Sequence, residues 1–185
     1  MLFRGMKLIP KGKGAFSNIF LGEDGMIYAF TKASHDIANT DMSKEIVSII
    51  CHNHDCLPKI ECLGLFTLPR YGQRLVYKMP HYYRLTGQSL KIAKLMEKLF
   101  DNFDPNFDLI VCGKSWYNRS MLLVDSLQDK LPEHITDAIY GVVSIALTYG
   151  NAYTLDLALR NIKQDGNGNI ILLDIIFNVK AQDDW

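Results

Sequence analysis

Along residues 15–32, Phe16, Asn18 and Phe20 alternate with Ser17 and Ile19. Gly22-Glu23-Asp24-Gly25 then supplies a turn, and Met26 to Lys32 returns. That period of two predicts a pair of short strands around a tight connection. The spacing changes over 36–51, where Met42, Ile46, Ile49 and Ile50 fall at i, i+4, i+7 and i+8. This is one apolar face of a helix, stopped by Leu57-Pro58. Residues 59–66 and 73–79 return to strand character, joined through Pro69-Arg70-Tyr71-Gly72. The first 80 residues therefore read β-β-α-β-β.

Helical spacing dominates afterwards. Over 88–100, Leu90, Ile92, Ala93, Leu95, Met96 and Leu99 stand against Lys91, Lys94 and Lys98. Asp, Pro, Asn and Gly breakers over 101–114 predict a loop, and a helix is expected over about 116–129. Pro132 starts a stronger one, lined by Ile135, Ile139, Val142, Val143 and Ala146. Two short strands are expected near 160–163 and 169–173, across the turn Gln164-Asp-Gly-Asn-Gly. The pattern predicts an α+β protein of one domain, with a β-rich part over 1–80 and a helical part over 81–185.

Composition narrows the classes. The 185 residues hold 20 Lys+Arg against 20 Asp+Glu, so no basic field marks a specific nucleic-acid binder. No apolar run approaches the roughly 20 residues of a membrane span, and Met1 to Lys7 lacks the apolar core of a secretory signal. Cys51, Cys56, Cys62 and Cys112 are too irregular for a disulfide framework. Cys51-His52-Asn53-His54-Asp55-Cys56 matches no zinc knuckle either. A cytoplasmic chain with free thiols is expected.

Candidate chemistry is scattered but ordered. Gly12-Lys13-Gly14-Ala15-Phe16-Ser17 precedes the first expected strand. Glycines there let amide N–H groups approach phosphates, although the same residues suit a plain flexible turn. Lys32 closes the second strand, and Glu45 flanks the apolar face of the 36–51 helix, where a carboxylate needs a cation. Asp156 interrupts an apolar stretch, Asn161 is expected to open a strand, and Asp174 to close the next. Asn and Asp oxygens suit Mg²⁺, and equally suit the turns of a hairpin.

Taken in order, these residues resemble the protein-kinase fold. Gly12, Gly14 and Phe16 match the core of its glycine-rich loop, with Ser17 where a third Gly is usual. Lys32 matches the Lys that holds the α- and β-phosphates of ATP, and Glu45 the Glu that orients it. Asp156 matches the catalytic Asp; Asn161 and Asp174 match the Mg²⁺ ligands. Arg74 to Pro80 would run into the hinge, placing Lys78 and Met79 by the adenine. The resemblance implies a two-lobed protein-kinase-like fold with a reduced helical C-lobe, spanning about residues 9–178.

Departures shape the expectation. Thr154-Leu155 replaces the usual His-Arg before Asp156, Ala158 stands where a Lys is usual, and Ile175-Ile176 replaces Phe-Gly. Eleven residues follow Asp174, leaving no room for an activation segment. The chain looks most like the early-gene Ser/Thr kinases of autographivirus-type phages. That likeness implies ATP- and Mg²⁺-dependent phosphorylation of a host protein, in the host cytoplasm, acting on transcription or defence. A pseudokinase that inhibits a host partner by binding is the alternative. A small-molecule phosphotransferase of the aminoglycoside-kinase type ranks last, because the short C-terminal part leaves little room for its substrate pocket.

Overall fold

A computed structural model describes residues 7–13, 17–32, 54–103, 124–148, 153–155, 157–173 and 176–178. It divides into two units. The first takes Met1–Val47 and Pro58–His81; the second takes Ser48–Leu57 and Tyr82–Trp185.

The first unit is one antiparallel five-stranded sheet. Its strands are β1 (Leu8–Lys13), β2 (Ser17–Gly22), β3 (Ile27–Lys32), β4 (Glu61–Leu68) and β5 (Gly72–Met79), in the order β1-β2-β3-β5-β4. The turn between β2 and β3 closes with Gly22 N donating to Met26 O at 2.8 Å. Gly25 sits there at φ 75°, a region other residues enter only with strain. Register puts Phe20 opposite Tyr28 and Phe30 opposite Val76, on one face. These four are buried together, joined by Leu8, Met26, Leu63, Phe66, Leu68 and Tyr71. Phe20 and Phe30 pack with ring centroids 4.8 Å apart, and Tyr71 meets both edge-on.

Strand β1 is an addition to the expected pattern. Pro10, Lys11 and Gly12 disguise it, and all three are exposed. Pro is tolerated there because β1 is an edge strand, with a register shift between Pro10 and Gly12. The expected leader to the first strand is therefore partly strand itself: Gly12 and Lys13 belong to β1, and Ser17 opens β2.

The second unit holds α1 (Gly87–Phe103), α2 (Glu133–Thr148) and two pairs of short strands. Helix α1 buries Ala93 and Met96 and runs three residues into the loop expected from 101. A helical turn at 124–128 is the described part of the helix expected over 116–129. Helix α2 buries Ile135, Ala138, Ile139, Val142 and Val143, and Pro132 O accepts from Ile135 N at its start. Strand β6 (Tyr153–Leu155) pairs with β9 (Ile176–Asn178), and β7 (Ile162–Gln164) with β8 (Ile170–Leu172). Asn161 does not open a strand: it ends the 3₁₀ turn Leu159–Asn161 that leads into β7.

The expected α+β arrangement, β-rich first and helical afterwards, is the one observed. Among the described residues no helix is long and apolar enough to cross a membrane.

Candidate functional site

In the first unit the sheet gathers several candidates at one end. Ser17 opens β2 and Lys32 closes β3, while Gly12 lies inside β1, opposite Ile19. Ser17 lies opposite Thr31, and their hydroxyls share a 2.7 Å hydrogen bond. That bond fastens the hairpin end to the residue before Lys32. β3 is an inner strand, flanked by β2 and β5, so its backbone position is fixed from both sides. Residues 27–30 are buried while Lys32 is exposed, because the strand emerges from the core at this end.

Lys78 and Met79 lie at the other end of the same strands. Both are still in β5, with Tyr28 opposite Lys78 and Ile27 opposite Met79. Glu61 of β4 is also opposite Lys78. The Lys78 ammonium is engaged by Asp24 Oδ2 at 3.1 Å and lies 5.7 Å from the Tyr28 ring centroid. Tyr28 Oη donates to the same carboxylate oxygen at 2.8 Å. For Asp24, desolvation pushes the pKa up, but the bonds from Tyr28, Lys78 and Met26 outweigh it and hold the group below its ordinary value. The chain leaves the sheet at Pro80.

In the second unit the hairpin expected between Asn161 and Asp174 forms. Asp165 builds its turn: Oδ1 accepts from Asn167 N at 2.9 Å and Asn169 N at 2.8 Å, and Oδ2 accepts from Asn169 Nδ2 at 3.0 Å. Gly168 takes φ 87° there. At the open end Leu173 N donates to Asn161 O at 2.9 Å. Leu155 lies opposite Ile176 in the β6–β9 pair, so the residue before Asp156 is paired with a residue two after Asp174. The anchored flanks are buried: Leu155, Leu157, Ile162 and Leu172 are all closed to solvent.

The loop from Leu157 to Asn161 has a support that the sequence pattern did not suggest. Glu97, on α1, accepts the Leu159 N–H at Oε1 over 2.9 Å. A helical Glu among Lys91, Lys94 and Lys98 reads as a solvated charge, and only the tertiary approach of α1 to the 3₁₀ turn reveals the bond. The hairpin turn is tied to the start of α1 as well. Ser89 Oγ donates to Gly168 O, and Gln164 Oε1 accepts from Thr86 N at 2.8 Å.

Gly14, Phe16, Glu45, Asp156 and Asp174 lie outside the described residues. Of the expected thiols, Cys56 is free and buried and Cys62 free and exposed, while Cys51 and Cys112 lie outside the described residues. Among the described residues no group of three or more His, Cys, Asp or Glu side chains could hold a metal.

No protein-family model and no curated protein matches the sequence. Among solved structures, the chain is similar to the GDP and kanamycin complex of APH(2")-IIia, at a TM-score of 0.38 and 12% identity. The match covers 90% of this chain and 68% of that one. A likeness at that level carries no argument about what this chain binds.

Proposed function

We propose that the chain is an ATP-dependent phosphotransferase that acts on a Ser or Thr hydroxyl of a protein, in the manner of the phage early-gene kinases its motifs resemble. The observation that carries the reading is the sheet end where Ser17, hydrogen-bonded to Thr31 opposite it, opens β2 beside Lys32, the last residue of the inner strand β3. Sequence order alone cannot produce that neighbourhood. It takes the antiparallel pairing of β3 with β2 on one side and β5 on the other.

Within this reading, the 12–17 connection (Gly12, Gly14, Phe16 and Ser17) covers the phosphates, Lys32 holds the α- and β-phosphates, and Glu45 orients Lys32. The adenine meets the backbone around Lys78 and Met79, and Met79 suits this better. The Lys78 side chain is held by Asp24, and its backbone lies between β3 and β4. In the second unit, Asp156 accepts the proton of the acceptor hydroxyl. The hydroxyl oxygen forms a bond to the γ-phosphorus, and the bond from that phosphorus to the departing ADP oxygen breaks. Asn161, at the open end of the β7–β8 hairpin, and Asp174 would supply hard oxygen donors of the kind Mg²⁺ takes. Bound there, the cation would offset phosphate charge.

The pseudokinase reading keeps one specific observation. Ala158 begins the 3₁₀ turn with no capping side chain, in the place where a kinase uses a Lys beside the transferred group. Incubation with γ-labelled ATP and Mg²⁺, alone and with a bacterial extract, separates the two. Label on protein Ser or Thr that vanishes in Asp156→Ala establishes the enzyme. Absence of label from wild type, with nucleotide binding retained, establishes the binding module.

A further inference from the structure

Lys32 and Arg74 are directly opposite each other across β3 and β5. Opposed residues of an antiparallel pair point to the same face, with Cβ atoms about 4.5–5.5 Å apart. Like charges so placed repel. Among the described residues neither has an acidic partner, and the ion pair formed on this sheet is Lys78 with Asp24 at its far end.

Arg74 is also incompletely satisfied. Its Nη1 donates to Gln73 O at 2.7 Å, while Nε is buried and has no hydrogen-bond partner. A buried N–H without an acceptor carries its desolvation cost uncompensated. The edge formed by Nε and Nη2 is the one that takes two oxygens of one phosphate or carboxylate side-on, and here its Nε is unsatisfied and closed to solvent, so the side chain must turn for that edge to be used. Two cations thus stand together on one face of the sheet end, one of them with an unsatisfied fork.

We propose that Lys32 and Arg74 together form a phosphate-binding site, with Arg74 as a phosphate ligand in its own right. The proposal deepens the phosphotransferase reading, on which its assignment to ATP rests. A phosphate oxygen pair relieves the repulsion and, after a small rotation of the Arg74 side chain, satisfies Nε. Lys supplies a point charge and Arg the geometry, so the pair fixes both the position and the orientation of the group.

The test uses the full chain, with sodium tripolyphosphate, ATP and adenosine as probes, by calorimetric titration and thermal unfolding at low salt. Tripolyphosphate should bind wild type and adenosine alone should give no comparable signal. Arg74→Gln and Lys32→Gln should each weaken tripolyphosphate about tenfold or more, with Arg74→Lys in between because it keeps charge and loses the fork. Tripolyphosphate affinity unchanged in Arg74→Gln overturns the proposal. The two failures are separable. Protein labelling that depends on Asp156 while tripolyphosphate ignores Arg74 ends this inference and leaves the enzyme. Tripolyphosphate that needs both cations, with no labelling at all, leaves the site and ends the enzyme.

Discussion

Glu97→Ala removes a single acceptor, the one that holds Leu159 N–H at 2.9 Å. A hydrogen bond to a charged acceptor contributes about 1.5–3 kcal/mol. Glu97 and the bond are only part-buried, which places this one near the low end, about 1.5 kcal/mol. For a chain of this length 1 kcal/mol moves the melting temperature by roughly 2–4 °C, so Glu97→Ala should melt about 3–6 °C below wild type. Glu97→Gln keeps a carbonyl oxygen at the same reach but loses its charge, and should cost about half as much. Far-UV circular dichroism against temperature at pH 7 reads all three proteins. Because the bond holds the loop between Asp156 and Asn161, turnover should fall in Glu97→Ala more than ATP affinity does, with partial rescue in Glu97→Gln. A shift under about 1 °C in the Ala variant, or identical Ala and Gln variants, would refute the assignment.

Other predictions follow from single groups. Burial pushes the Cys56 thiol up to about 11, with its Sγ donating to His134 O at 3.3 Å. Mapping by mass spectrometry at pH 8 should therefore find alkylation at exposed Cys62, and at Cys56 only after denaturation; equal labelling of both in the native protein contradicts the burial. Asp24 is held below its ordinary 3.8, so its stabilisation is present at neutral pH and lost as pH falls through the lowered value. Asp24→Asn should be less stable than wild type at pH 7 by chemical denaturation, the gap narrowing as pH falls below 3.8, and a gap that does not narrow in acid would be wrong for this cause. ATP should raise the melting temperature clearly only with Mg²⁺ or Mn²⁺, reflecting a stabilisation of about 2.7 kcal/mol at 100 times Kd. Asp174→Asn should shrink that effect, and equal shifts with and without metal would remove Asn161 and Asp174 as ligands.

How much of this was legible in the sequence varied with the kind of constraint. Helix α2 shows its burial in Ile135, Ile139, Val142 and Val143, because a half-buried helix writes its period into the chain. The β2–β3 and β4–β5 hairpins show theirs through turn residues and alternation. Strand β1 was hidden because an edge strand buries little, and Ile9 to Gly12 are exposed. The β6–β9 pair was hidden for a different reason: its short strands lie far apart in sequence with no turn joining them, whereas the equally short β7 and β8 are flagged by the turn between them. At the candidate site, the residue types and their order could be read directly. The opposition of Lys32 to Arg74 and the reach of Glu97 to Leu159 could not, since each depends on the pairing or packing of distant segments.

The segment Ser48–Leu57 belongs with the second unit, although Met1–Val47 and Pro58–His81 on either side of it belong to the first. Its anchors are distant: Cys56 Sγ donates to His134 O, and Cys56 O accepts from Leu172 N at 2.8 Å. On the ribosome, Cys56 is made long before Leu172, by roughly 6–23 s at synthesis rates of about 5–20 residues per second. During that interval β4 and β5 are made and the sheet strands can pair, while this strip waits for partners not yet translated. Its bonds to His134 and Leu172 therefore form late and across a long stretch of sequence. Cutting the gene at the 81/82 boundary would leave each product wrong in its own way: the first carrying an orphaned buried thiol, the second missing the strip that caps Leu172.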